Sequence, residues 1–155
     1  MRSLRELPLR QSAVPRTATF EEAAEALVAS GLAAIAVLDE HRRVVGLFTD
    51  DDLVRGLFPA YLGELRHTAF ALDDERELAA RLTAVGRAPV ERHMRKPLTL
   101  EADTSATHAA ERFLHCDWGA LAVVERGLFL GMVSETEFAR LLLDRLRREP
   151  PGQRG

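Results

Sequence analysis

One cysteine, Cys116, stands among 155 residues, so no intrachain disulfide framework can hold the chain together. That usage fits a reducing compartment, and a cytoplasmic protein is expected. No stretch approaches the roughly 18 to 20 consecutive apolar residues that a membrane-spanning helix needs. Met1–Glu6 carries charge with no apolar run behind it, which is not the pattern of a secretory signal. Excess positive charge is missing too: the formal net charge is −3, which argues against a general nucleic-acid binder. The basic group Arg145, Arg147 and Arg148 suits the last turn of a helix, where cations complement the macrodipole, and Pro150 and Pro151 stop that helix. Catalytic signatures are also lacking. There is no Gly-x-Ser-x-Gly elbow, Walker-type loop, Gly-x-Gly-x-x-Gly or His-Glu-x-x-His, and a non-catalytic protein is expected.

What is present is the balance of an ordinary globular chain, 46% hydrophobic and 29% charged. A chain of this length buries roughly two-thirds of its unfolded surface, enough to fold without disulfide or metal.

The chain also repeats itself. Ala23-Ala24-Glu25 returns as Ala109-Ala110-Glu111, 86 positions later (23 to 109). Ile35–Asp39 returns as Leu121–Glu125 at the same offset. Gly46-Leu47-Phe48-Thr49-Asp50-Asp51-Asp52-Leu53 returns as Gly131-Met132-Val133-Ser134-Glu135-Thr136-Glu137-Phe138, 85 positions later (46 to 131). A hairpin loop one residue shorter in the second copy accounts for the lost position. Such self-similarity is the mark of a repeat architecture.

Each copy reads in the same order. A short extended segment (Ser12–Val14; Leu98–Leu100) precedes a helix with apolar residues at i, i+3, i+4 and i+7: Phe20, Ala23, Ala24, Leu27, then Ala106, Ala109, Ala110, Phe113. Thr19 with Glu22 suits a capping box. Two strands follow, Ala33–Leu38 and Val44–Phe48, then Gly119–Val124 and Leu128–Val133, joined by polar turns. A second helix starts after Thr49 or Ser134, and the later one stripes Phe138, Leu141, Leu142 and Leu146 along a face expected to be buried. This β-α-β-β-α order, twice, predicts an α+β fold with small sheets packed against helices. The expected division is 1–58 for the first repeat, 59–86 for a helical connection, 87–148 for the second repeat and 149–155 for a disordered tail. Within the connection, Tyr61, Leu62, Leu65 and Phe70 have loosely helical spacing, and Asp73–Ala84 reads as a helix closing near Gly86.

Thr49-x-x-Asp52 and Ser134-x-x-Glu137 each stand where a strand feeds a helix. Unpaired N–H groups and a positive dipole end make a helix start a ready anion site. A carboxylate one turn in can accept from two vicinal hydroxyls. The same spacing also makes an ordinary N-cap, and the two uses are compatible. Trp118, the only tryptophan, is either a stacking platform or a core aromatic. His108 and His115 are two helical turns apart, about 10 Å, too far for one ion; with His93 and Cys116 they read as ordinary core or surface residues, and no metal is expected.

Glycine, two apolar residues, Thr or Ser, two variable residues, then an acid: this pattern in both copies resembles the signature of cystathionine β-synthase-type (CBS) domains. The lead-in Val90-Glu91-Arg92-His93-Met94 is similar to the family's entry to a repeat. The resemblance implies a pseudo-twofold pair of repeats, a stand-alone Bateman module, that pairs again into a homodimer. It implies clefts for an adenosine nucleotide (AMP, ADP or ATP) or S-adenosylmethionine as a regulatory ligand, with none required as a cofactor. By that resemblance Thr49 or Ser134 bonds a phosphate or ribose oxygen, and Asp52 or Glu137 accepts from ribose hydroxyls. The adenine lies by Ser12, Leu32, Ala33 and Ala34, or by Leu98, Trp118, Gly119 and Ala120. Where many such repeats carry Arg or Lys before the acid, this chain has Asp51 and Thr136, and the first copy reads Asp50-Asp51-Asp52. Like charges there oppose a polyphosphate, so a neutral or cationic adenosine compound is the better expectation. With no enzyme or channel domain in the sequence read, the output is expected to pass to a partner protein. The alternative is a module without ligand, kept for dimerisation or docking.

Overall fold

The runs Ala34–Leu38 and Ala120–Val124 are apolar on both faces, and each lies in the middle strand of a three-stranded sheet. In the computed structural model, residues 3–58, 75–148 and 152 are described. In the first half, β1 (Ala13–Pro15) leads through α1 (Phe20–Ser30) to β2 (Ala34–Leu38), then β3 (Val44–Thr49) and α2 (Asp50–Leu57). After α3 (Glu75–Gly86) the order returns: β4 (Thr99–Glu101), α4 (Ala106–Leu114), β5 (Ala120–Glu125), β6 (Leu128–Ser134) and α5 (Glu135–Arg148).

The repeat holds down to the register. β1 runs parallel to β2 and β3 antiparallel, with Ala34 opposite Thr49; β4, β5 and β6 do the same, with Ala120 opposite Ser134. Each sheet carries one irregularity at the same place, between Val37 and Leu38 and between Val123 and Val124. The second hairpin turns through Arg126 (φ 52°) and Gly127 (φ 80°), the two positive dihedrals of a tight two-residue turn. In the first, the Asp39 carboxylate accepts from the N–H groups of His41 and Arg43, which holds the longer loop.

Small side chains join the halves. Ala34 and Ala36 of β2 and Ala120 and Ala122 of β5, all 0% exposed, share a layer with Leu38, Leu47, Phe129 and Met132. Alanine on both middle strands lets the sheets approach closely. Outside that layer each half has its own core, built on Phe20, Ile35 and Phe48 in the first and on Phe113, Leu121 and Phe138 in the second.

The lead-in segments cross between these cores. Leu4 and Leu7 are buried with Leu100, Phe113 and Phe138 of the second half. The Leu4 N–H donates to the Ala102 carbonyl at 3.0 Å, and Arg10 and Met132 exchange backbone hydrogen bonds at 2.9 and 2.7 Å. Conversely, Val90 is buried with Phe20 and Phe48 of the first half, and Arg95 pairs with Leu47. Val90–Met94 leads into the strands of the second repeat yet packs on the first.

Local expectations hold with small shifts. Of the capping box expected at Thr19 and Glu22, one half forms: the Thr19 hydroxyl caps α1 by accepting from the Glu22 N–H at 3.2 Å, and Gly31 (φ 69°) closes that helix. The stripe on α5 needs correcting. Phe138 is buried and Leu141 and Leu142 half-buried, but Leu146 is 63% exposed, because the helix runs past the sheet it packs on. The expected helix at 73–84 lies at Glu75–Gly86. Tyr61, Leu62, Leu65, Phe70 and the tail at 149–155, apart from Gly152, lie outside the described residues.

Candidate functional site

Thr49 ends β3 and caps α2, and it is fully buried. Its Oγ1 accepts from the Asp52 N–H at 3.1 Å and donates to Asp52 Oδ2 at 2.9 Å, while its own N–H donates to the same oxygen at 3.0 Å. This is a complete capping box, with an acid one turn inside reaching back to the cap. The other early N–H groups of α2 are also used. That of Asp50 donates to the Ala33 carbonyl at 3.0 Å, and that of Asp51 to Asp50 Oδ1 at 2.8 Å. The first three donors of the helix therefore end on the protein itself. The anion site expected at this helix start is filled from within.

Asp52 has a further partner that its own repeat does not supply. Arg95 donates from Nε to Oδ2 at 3.0 Å and from Nη2 to Oδ1 at 2.7 Å, a two-pronged pair with the Asp52 side chain 11% and the Arg95 side chain 27% exposed. The hydrogen bonds that Arg95 donates to the Asp52 carboxylate hold its pKa above the ordinary value, and the guanidinium stays charged. Arg95 Nη2 also lies 3.5 Å from Asp51, whose carboxylate takes Arg55 Nε at 2.7 Å. On its other side the Arg95 guanidinium sits 4.7 Å from the ring centre of Trp118, a cation–π contact.

These residues line a cleft of about 670 Å³: Asp50, Asp51, Asp52, Arg55 and Arg95 face Asp117 and Trp118. Four carboxylates meet two guanidinium groups, and both guanidinium groups are already paired with Asp51 or Asp52. Trp118 packs partly on the inter-sheet layer and partly lines the cleft.

The second motif is built differently. Ser134 Oγ accepts from the Glu137 N–H at 3.1 Å, and the Glu135 N–H donates to the Gly119 carbonyl at 2.8 Å. Glu137 pairs with Arg140 of its own helix at 3.1 Å. Arg10, which matches Arg95 in backbone pairing, instead donates to the Ser30 carbonyl at 2.9 Å.

Of the residues singled out in the sequence, Thr49 and Asp52 are joined by hydrogen bonds, and Asp52 and Trp118, from opposite repeats, share the cleft. Leu98 packs beside Trp118 in the inter-sheet layer. Ala34 and Ala120 are fully buried within that layer, and Leu32 packs against it. Ser12 gives its carbonyl to the Ala36 N–H at 3.2 Å, and Ala33 and Gly119 give theirs to the helix starts. The sequence reading missed Arg95 and Asp117. Arg42 and Arg43 lie in the hairpin turn at the other end of β3 from Thr49.

Two matching β-α-β-β-α units, joined through alanine-lined middle strands with a capped motif at each strand-to-helix junction, define a tandem-repeat module of the CBS type. The family model described as the CBS domain matches residues 4–58 and 77–144, and the chain belongs to that family. A CBS domain-containing protein from Kribbella flavida is similar in structure, with a TM-score of 0.74 at 19% identity over 92% of this chain and 99% of that one. The CBS-pair protein CBSX2 from Arabidopsis thaliana gives 0.71 at 22% identity over 94% and 96%. A structure of CBSX2 in complex with AMP gives 0.67 at 23% identity over 96% and 100%. No curated protein matches the chain. Among the described residues no helix is long and apolar enough to cross a membrane, and no group of three or more His, Cys, Asp or Glu side chains could hold a metal ion.

Proposed function

We propose that the chain is a non-catalytic regulatory module whose first cleft takes an adenosine derivative and passes its occupancy to a partner protein. The observation that carries this reading is the cleft itself, where the carboxylate of Asp52 and the face of Trp118 converge from opposite repeats. Its volume of about 670 Å³ falls within the range of small-molecule sites. An aromatic face suits a purine, and a carboxylate suits the vicinal hydroxyls of a ribose. The AMP complex of CBSX2 supports the ligand class. The acidic lining of Asp50, Asp51, Asp52 and Asp117 narrows it to neutral or cationic adenosine compounds, because a polyphosphate would meet like charge. A bound ligand acts through its different affinity for two arrangements of the repeats.

The test is a thermal-shift and calorimetric screen against AMP, ADP, ATP, S-adenosylmethionine and NAD. At 100 times the dissociation constant a ligand stabilises by about 2.7 kcal/mol. A rise of several degrees with S-adenosylmethionine, smaller with AMP, smallest with ATP and lost in Asp52→Ala, is expected. No shift with any compound sinks the reading.

A second reading, a module without ligand that dimerises or docks a partner, is favoured by the internally satisfied start of α2 and by apolar side chains on outer helices. Leu114 is 81%, Val28 75% and Leu146 63% exposed. Sedimentation analysis showing a homodimer indifferent to every nucleotide would select it.

A further inference from the structure

Both features that suit the first cleft to a nucleoside are covered by one side chain. Asp52 Oδ2 takes three hydrogen bonds, two from Thr49 and one from Arg95, and Oδ1 takes another from Arg95. The face of Trp118 lies under the same guanidinium at 4.7 Å. A ribose diol needs the carboxylate and a purine needs the ring face, so neither fits while Arg95 is seated. The side chain arrives from the crossing lead-in segment, whose backbone is fixed by the paired hydrogen bonds between Arg95 and Leu47 at 2.9 and 3.1 Å. The guanidinium can therefore leave by rotation of its stem with the backbone held in place. Thr49 stays bonded to Asp52 throughout, which keeps the carboxylate aimed at the cleft.

We propose that Arg95 is a tethered competitor that gates the first cleft, and that a ligand enters by displacing its guanidinium from Asp52 and Trp118. This rests on the adenosine reading above and adds the residue that controls access and selects the ligand. Once Arg95 leaves, no other guanidinium among the described residues lining the cleft is left for Asp50, Asp52 and Asp117, since Arg55 is committed to Asp51. A ligand that carries its own cation replaces what it displaces, while a neutral nucleoside enters at lower affinity. The gate belongs to the first cleft alone, because Arg10, the counterpart of Arg95, turns to the Ser30 carbonyl and Glu137 pairs with Arg140.

The experiment measures adenosine and AMP binding by calorimetry to the wild-type protein, Arg95→Ala and Arg95→Met, the last keeping an apolar stem should the alanine variant fold poorly. In parallel, methylguanidinium is titrated into the variants while the emission of Trp118, the only tryptophan, is followed. Adenosine binding at least tenfold tighter in the variants, and weakened again by methylguanidinium with a matching change in Trp118 emission, is the expected result. Equal or weaker binding of adenosine in the variants, or an AMP affinity that falls with the arginine, overturns the gate and makes Arg95 a ligand contact while the adenosine reading stands. If no protein binds either compound but methylguanidinium still changes Trp118 emission in the variants, the adenosine reading falls and the guanidinium slot is upheld. Silence in both titrations overturns both.

Discussion

Leu47 and Arg95 exchange both of their backbone hydrogen bonds, at 2.9 and 3.1 Å, and this short antiparallel pair fixes the crossing segment along β3. The neighbour of Leu47 is Gly46, and a Cβ built there would sit 3.0 Å from the Arg95 carbonyl and against the side chain of Met94. In the second half, a Cβ on Gly131 would lie 3.2 Å from the Arg10 carbonyl and 2.7 Å from Leu9 Cβ. The glycine that opens each motif is thus where another stretch of backbone passes.

Replacing it should loosen the crossing. Gly46→Ala is expected to destabilise the fold by about 1 to 3 kcal/mol, the usual cost of forcing atoms into a filled space. Gly31→Ala is the control. Its Cβ would meet nothing within 4 Å, and its cost of about 1 kcal/mol comes only from the positive φ of 69°. Urea unfolding of both variants checks the order, and a Gly31 variant hit harder than the Gly46 variant would contradict the close approach.

The other crossing can be tested through its anchor. Leu4 is fully buried against Leu100, Phe113 and Phe138, so Leu4→Ala should cost about 2 to 5 kcal/mol although it lies so near the N-terminus. Hydrogen exchange should show the loss first in β4, β5 and β6. Exchange that quickens first in β1, β2 and β3 would place the N-terminal segment on the wrong half.

How much of this could be read beforehand depended on whether the signal was local. The strands of β2 and β5 declared themselves by unbroken apolar runs, and the repeat offset located the shorter second hairpin. Thr49 was legible as a cap because a cap needs only residues three apart. Arg95 was not legible. It stands 43 positions from Asp52, and only the crossing of the lead-in segment over β3 brings them together. Gly46 was the available hint, since glycine inside a strand often marks the close approach of another backbone. The exposure of Leu146 was hidden for a related reason, because helical spacing gives the face of α5 but not where the underlying sheet ends.

The Thr49–Asp52–Arg95 cluster predicts a graded series. Thr49→Ser keeps the hydroxyl that accepts from the Asp52 N–H and should stay within about 1 kcal/mol of wild type, whereas Thr49→Ala loses the cap and should cost about 1 to 2 kcal/mol. Asp52→Ala removes the carboxylate from the cap and leaves Arg95 half-buried without its main partner. It should be the most damaging, at about 2 to 3 kcal/mol. A double-mutant cycle with Arg95→Ala should recover part of that loss. Strict additivity would mean that the guanidinium and carboxylate do not stabilise one another.

His93 supplies a pH dependence. Its half-buried ring meets the Phe20 ring edge-on at 4.8 Å, between centroids, against the core of the first half. Burial, and then the nearby charge of Arg92, push its pKa below the ordinary 6.5, with Asp52 opposing them in part. A histidine whose folded pKa is depressed binds its proton more readily when unfolded, so acid favours the unfolded chain. Its contribution is complete above pH 6.5 and is lost as the pH falls through that value towards the lower folded pKa. Urea unfolding at pH 7.5 and pH 5.5 should therefore show a larger loss of stability in wild type than in His93→Gln, which cannot titrate. Comparing the two proteins cancels the remaining histidines and the carboxylates, and equal losses would show that the His93 ring takes its proton as easily in the fold as in water.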